Sequence, residues 1–309
     1  MPSKNRTRFG IAMPQKFPDG KVDTRYIGDF LSRVEALGYD SVWVGEGHFS
    51  PIPNLEPIPL LSYAAALTTR VKIGVSALLS AFWSPVHLAK GLATLDQLSD
   101  GRLIAAVTIG PHLELYPAFG MEARNRVSRF EEGLRLMKAL WTQDKVTFHG
   151  RYWNMDGVSI NPRPRQTPHL PLWFGARVEP ALRRAVKVGD GWMGSGATST
   201  EEFKEHLALV RRFLQEEERD PDGFPVSKRV FVALDPNRKR ALRRLEEMMG
   251  NIYGDPSLAA RVSVYGGEEE VVEGLGKIIE EGIDLLLLAP AFEPTDQAER
   301  LAEDVLPKL

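Results

Sequence analysis

The chain has 309 residues, 43% of them hydrophobic and 26% charged, with a formal net charge of −2 and no cysteine. That balance provides ample material for a large core, and the missing cysteines exclude disulfides, thiolate metal sites and a cysteine nucleophile. Near-neutral charge argues against a dedicated nucleic-acid binder, and without a long apolar run or a signal-like start the expected location is the cytoplasm, away from membranes.

Residues 9–13 read as a short apolar strand that stops at Pro14-Gln15. Asp23 is placed to cap a helix carrying Ile27, Phe30, Val34 and Leu37, ended by Gly38. Residues 40–45 form a second strand and 60–67 a short helix. The clearest unit follows over 71–110: a strand at 71–77, a loop with Phe82 and Trp83, a helix, a tight turn, and an unalternating apolar strand at 103–109. Ser84 is expected to cap that helix, with Pro85 as its first residue. Leu88, Leu92, Leu95 and Leu98 lie on one face, and Asp100-Gly101 ends the helix, glycine supplying the left-handed conformation. This is a βαβ unit whose strands should be parallel neighbours.

Val127, Phe130, Leu134, Met137 and Trp141 mark a fourth helix, and a turn-rich segment then leads to a strand at 171–175. A helix through Leu182, Ala185 and Val186 ends at Gly189, before a short strand at 191–194. Ser199 and Glu202 fit a capping box ahead of Phe203, Leu207, Val210 and Leu214. A strand at 229–234, helices over 238–252 and 269–281, a strand at 285–289 and a helix through Ala298, Leu301 and Val305 complete the pattern.

Eight strands alternating with helices, without a composition break, point to one α/β domain over residues 1–309, a (β/α)8 barrel. A barrel needs ~250 residues, so the surplus is assigned to loops. Those loops are 111–124, 143–168 and 255–267. The rival, an open doubly wound sheet, usually has about six strands and a glycine-rich first turn. The turn Pro14-Gln15-Lys16-Phe17-Pro18 has no such motif.

In a barrel the active site lies at the carboxyl ends of the strands. Here those ends are glycine-rich, aromatic and poor in carboxylates. The six histidines lack metal-ligand spacing, so no metal site is expected, and neither a Walker A loop nor a G-x-S-x-G elbow occurs. Such a mouth suits a large flat ligand better than hydrolysis. Trp83, in a polar-flanked loop, and His112 are candidates for a substrate pocket, whereas Trp43 and Trp192 read as core.

Five segments occur in a telling order: G-Y-D-S-V-W-V-G-E-G-H-F (38–49), L-D-Q-L-S-D-G-R-L (95–103), R-F-E-E-G-L-R-L-M-K-A-L-W (129–141), P-L-W-F-G-A (171–176) and V-G-D-G-W (188–192). On these the chain resembles the bacterial luciferase-like superfamily of flavin- and deazaflavin-dependent oxidoreductases. The resemblance implies a barrel, usually homodimeric, that holds coenzyme F-420 or FMN across the strand ends. It implies the cofactor phosphate over Gly175-Ala176-Arg177, where the family usually has Gly-Gly; a side-chain-poor turn opening a helix presents N–H groups to an anion. Ser76-Ala77 match the position of a non-proline cis peptide behind the ring system, and Thr108 and Gly110 match positions near it.

His48 matches the histidine that sits beside the reacting centre in the F-420-dependent sugar-phosphate branch. Imidazole titrates near neutrality and can pass on the proton that accompanies hydride transfer. Two departures bear on the substrate. Gly47 occupies the place of an acidic residue in that branch, and Pro111 stands where it carries a catalytic glutamate; together they imply a substrate other than a sugar phosphate. With F-420 the reaction would be hydride exchange with a small organic molecule, and with FMN it would be oxygenation by reduced flavin and oxygen. The style of V-T-I-G after L-D-Q-L-S-D-G-R leans towards F-420. Readings from other classes are a flavin-binding protein without catalysis and an unrelated barrel isomerase or aldolase, the latter disfavoured because the strand ends show no lysine or metal cluster.

Overall fold

The computed structural model describes residues 7–50, 52–110 and 112–309. β1 (Arg8–Ala12), α1 (Thr24–Ala36), β2 (Ser41–Val44), α2 (Pro57–Leu67) and β3 (Lys72–Leu78) come first. They are followed by α3 (Pro85–Leu98), β4 (Leu103–Val107), α4 (Arg126–Thr142) and a hairpin of β5 (Val146–His149) and β6 (Asn154–Val158). β7 (Leu172–Gly175), α5 (Glu179–Val188), β8 (Gly191–Gly194), α6 (Thr200–Glu216) and β9 (Val226–Leu234) come next. The remaining elements are α7 (Arg238–Tyr253), α8 (Ala259–Val262), β10 (Ser263–Gly266), α9 (Glu268–Ile279), β11 (Leu285–Pro290) and α10 (Pro294–Arg300).

The strands pair in parallel in the order β9, β11, β1, β2, β3, β4, β7, β8, and a β8–β9 pairing closes the ring. This is the eight-stranded (β/α)8 barrel that the alternation predicts. Local signals explain most element ends. Asp23 accepts from the Tyr26 N–H at 3.0 Å, and Ser199 and Glu202 form the expected capping box. Pro85 does open α3, but the Ser84 side chain makes no capping hydrogen bond. Proline's fixed φ sets that helix start without the hydroxyl. At its other end Asp100 is itself left-handed (φ 58°), as is Gly101 (φ 77°), so the reversal into β4 uses two residues rather than the glycine alone.

The surplus residues lie in the three loops assigned to them, yet they are not bare loops. Two 3-10 turns, Leu113–Phe119 and Ala123–Asn125, precede α4. The β5–β6 hairpin fills the space before β7, and β10 adds to the upper half of β9, outside the ring. Sequence reading misses both because they are short and bury little: four of the five residues of β6, Asn-Met-Asp-Gly-Val, are exposed.

Trp43, Ile104, Ala106, Trp173, Met193, Leu285 and Leu287 fill the barrel interior. The two indoles meet at 6.0 Å, and glycines make room for them: a Cβ on Gly74 would lie 2.4 Å from the Trp43 ring. The reading of Trp43 as core is correct. This plug closes the barrel, so the space for a ligand lies above it, at the carboxyl ends of the strands. Among the described residues no helix is long and apolar enough to cross a membrane, and no cluster of side chains could hold a metal ion.

Candidate active site

Beyond β2 the chain carries Glu46 and His48 above the plug. Glu46 is the hub of this region, its side chain only 1% exposed. Its Oε1 accepts from the Trp83 indole N–H at 2.8 Å and lies 2.9 Å from His48 Nε2, while Oε2 accepts from the Leu79 N–H. His48 Nε2 is out of line for a hydrogen bond to that carboxylate and is buried without another partner. The ring is therefore held with its Nε2 against a buried carboxylate.

Aromatic side chains wall this imidazole. Phe119 lies 4.8 Å from it and Phe82 5.8 Å edge-on, and these two phenyl rings stack on each other at 4.4 Å. Tyr116 packs on Phe82 at 4.7 Å and donates its hydroxyl to the Ile109 carbonyl at 2.8 Å. The segment after β4 thus supplies part of the wall. In the loop before α2, Glu56 Oε2 accepts from the Ile58 N–H at 2.9 Å, but its Oε1 and Asn54 Oδ1 are buried without partners. Burial pushes the Glu56 carboxyl up, the Ile58 N–H pulls it back, and the charge of Glu46 adds to the rise.

A wall of small residues stands beside this cluster. The Ser76–Ala77 peptide is cis. A Cβ placed on Gly175 would lie 3.4 Å from Ala77 Cβ and 3.8 Å from Thr108 Cβ, so β3, β4 and β7 bring these three residues together. Gly110 (φ +89°) faces Leu79 and Phe82, and so connects the wall to the His48 cluster. Arg229 Nη1 donates to the Ser76 carbonyl at 3.2 Å.

Farther round the ring the character changes. Ala176 is 7% exposed, and its carbonyl accepts from the Trp192 indole N–H at 2.9 Å. Trp192 is core, as read, stacked on Phe203 of α6 at 5.2 Å. Arg177 is exposed at the entry to α5, whose N-cap residue, Val178, offers no side-chain cap. Glu179, in the first turn, is drawn off by Arg212 at 2.9 Å. Behind the next loop the buried Lys228 ammonium donates to the carbonyls of Ser195 and Thr198 and to the Thr198 hydroxyl, the last at 3.1 Å. Burial lowers the Lys228 pKa to about 7. His206 is lowered by its own burial, with the positive charges of Lys228 and Arg177 adding to the effect against Glu202 and Glu205.

Not every candidate joins these groups. His112 is 59% exposed, with Nδ1 3.0 Å from Glu114, a partner two residues along the chain. Trp83 turns its N–H to Glu46, while its ring lines a small cavity with Arg129, Phe130 and Trp153. Pro111 lies outside the described residues. Glu46 was noted only as one residue of the strand end 46–49, without a role, and Tyr116, Phe119, Lys228 and Arg229 were not singled out by sequence. For Glu46 a signal existed: a carboxylate one position before Gly47, where an acid was sought.

The family profile described as luciferase-like monooxygenase matches residues 7–283. The chain belongs to this family, and it is an oxidoreductase. It is 32% identical, over 75% of its length and 69% of the relative's, to a protein of Kineococcus radiotolerans named F-420-dependent glucose-6-phosphate dehydrogenase. It is also 32% identical, over 50% of its length and 43% of the relative's, to an FMNH2-dependent dimethylsulfone monooxygenase of Pseudomonas putida. Among solved structures, an F-420-dependent secondary alcohol dehydrogenase in complex with an F-420–acetone adduct superposes with a TM-score of 0.85 at 21% identity, covering 98% of this chain and 99% of the other, which is a likeness of fold.

Proposed function

We propose that this protein uses coenzyme F-420 to exchange hydride with a small organic substrate. The observation that carries this reading is the meeting of Ala77, Thr108 and Gly175 in a side-chain-poor wall beside His48, whose Nε2 is buried with no aligned partner. A flat ring fits against such a wall, to which Gly175 adds no side chain and Ala77 only a methyl. The uncapped start of α5, with Ala176 and Arg177, fits the phosphate. F-420, when bound, supplies two-electron hydride chemistry, and the barrel supplies orientation and exclusion of water.

In this reading His48 holds or releases the accompanying proton at its ring, and Glu46 fixes the ring's position. Ser76, Ala77, Thr108 and Gly110 border the ring system, Gly175, Ala176 and Arg177 hold the phosphate, and Trp83 borders the substrate space, with His112 set apart on the surface. The absence of an acid at Gly47 supports a substrate other than a sugar phosphate. We place the enzyme in the cytoplasm as a homodimeric single-domain protein acting on a small molecule. The likeness to the dimethylsulfone monooxygenase supports a second reading, FMN-dependent oxygenation. Paired titrations with F-420 and FMN separate the two: saturable F-420 binding followed by turnover supports the first, FMN binding with oxygen consumption the second, and binding of neither sinks both.

A further inference from the structure

Arg229 lies on β9, and its guanidinium reaches the carbonyl of Ser76 on β3 at 3.2 Å. In the ring β3 stands four strands from β9 in either direction, so this side chain crosses the barrel, from the level of Leu287 on one side to that of Ala106 on the other. The missing side chain of Gly45 leaves it room: a Cβ there would lie 3.9 Å from Nη1. The Phe231 ring packs under the guanidinium at 5.0 Å.

A guanidinium has five N–H donors. Here one bond, to Ser76, is made within the protein, and Nε is sealed from water without an acceptor. Among the described residues no carboxylate pairs with it; burial pushes its pKa down, and Tyr253 opposes this. Lys16, from the loop after β1, is depressed by its own burial and by the charge of Arg229. A partly buried guanidinium with its Nε sealed and unpartnered is relieved when a ligand brings the opposite charge.

The phosphate has its own place on the β7–β8 side, so the anion at Arg229 is a different one. Arg229 is bonded to the residue that opens the small-residue wall, which is where the ring system would lie. Two-electron reduction of a flavin or deazaflavin ring leaves an ionisable N1, and loss of its proton puts negative charge on the N1–C2 oxygen edge. We propose that Arg229 is a charge-matching residue for the cofactor, whose guanidinium meets that pyrimidine edge and favours the reduced ring. The proposal rests on the reading that the protein binds F-420 or FMN.

The test titrates oxidised and anaerobically reduced cofactor, F-420 first and FMN as a second probe, into wild type, Arg229→Met and Arg229→Lys. The methionine variant should raise the Kd of the reduced form at least about tenfold more than that of the oxidised form, which is roughly a 30 mV fall in the two-electron potential. Lysine should recover most of the difference. Equal losses in both redox states with a lowered Tm would make Arg229 a strut between β9 and β3. Unchanged cofactor affinities with a raised KM for an acidic substrate would assign the cation to substrate. Either result overturns the proposal. If Arg229→Met fails to fold, Arg229→Gln carries the same comparison. A wild type that binds neither cofactor overturns the functional reading as well, whereas one that binds, with variants at the wild-type ratio, overturns this inference alone.

Discussion

The two sides of the barrel mouth are built differently. On the β2–β4 side individual functional groups face the ligand space: Glu46 gathers Trp83, Leu79 and His48, and Phe82 and Phe119 close over the imidazole. On the β7–β8 side the ligand space meets small residues and main chain, while the large side chains stand behind. Trp192 holds the Ala176 carbonyl, and Lys228 holds the Ser195 and Thr198 carbonyls. The first arrangement suits a step in which a particular atom must give or take a proton. The second suits an anion, which needs several oriented N–H groups and no particular side chain. Changes on the first side should therefore act on rate, and changes on the second on affinity.

His48→Ala is the sharpest way to break that contrast. A general acid or base contributes typically 10²–10⁴-fold, so kcat should fall on that scale while cofactor affinity, read by titration, stays near wild type. A rate within a factor of about three of wild type is too small for proton transfer, and would leave His48 a loop residue. His112 would then be next to test, although its exposure and its pairing with Glu114 make it a poorer proton carrier.

Glu46 should come next in size. Glu46→Ala leaves the Leu79 N–H and the Trp83 indole N–H buried without acceptors, at about 1–3 kcal/mol each, so Tm should drop by several degrees. Glu46→Gln keeps one acceptor oxygen for the two donors and should recover about half of that stability. The two variants separate positioning from folding. If the carboxylate fixes His48, Glu46→Gln should still lose roughly ten- to a hundredfold in kcat, since small misplacements of a reacting group cost that much. A glutamine variant with wild-type kcat and pH profile would confine Glu46 to packing.

The contrast also explains what was legible in the sequence. The β7–β8 side was nominated through the resemblance, and a side-chain-poor strand end before a helix gives that nomination its physical reason. Gly175, Thr108 and Ala77 could be nominated one by one, and the barrel rule then put them at the same end. That Ala77 and Thr108 lie within 4 Å of where a Gly175 Cβ would stand needed the closed ring. The β2–β4 side was harder. His48 was found through its motif, but Glu46 reads as one more polar residue until the loop bends its carboxylate back to Trp83 and Leu79. Phe119 and Tyr116 come from a segment whose local pattern predicts only loop. Ser84 failed in the opposite sense: its pattern is that of a cap, yet proline sets the helix start without it.

On the affinity side, Ala176→Ile is the counterpart of His48→Ala. The residue is 7% exposed, lies in the main hydrophobic core and has its carbonyl held by Trp192, so an unchanged Tm must first show that the added β-branched side chain is accommodated without overpacking. Cofactor Kd should rise roughly tenfold, about the 1–2 kcal/mol typical of hindering one charge-assisted contact, with kcat unchanged at saturating cofactor. A fall in kcat at unchanged Kd would move the phosphate away from this turn and dissolve the contrast.

The smallest effect concerns the support behind that side. Lys228 is 1% exposed, and burial brings its pKa down to about 7, below the ~10.4 of an unfolded lysine. Below about pH 7 both states hold the proton, and this group gives stability no pH dependence. Above it the unfolded chain keeps a proton that the native protein has lost, so stability should rise with pH, by at most about 1.4 kcal/mol per unit. Lys228→Met removes the group, and the Tm of wild type relative to this variant should climb from pH 7 to pH 9 while staying level between pH 5.5 and pH 6.5. The three acceptors around the ammonium pull the other way, since they favour the charged form. A level difference through pH 9 would mean that they prevail over burial. Lys228 would then give the β7–β8 side a full positive charge as well as a support, and the affinity lost in Ala176→Ile should be correspondingly smaller.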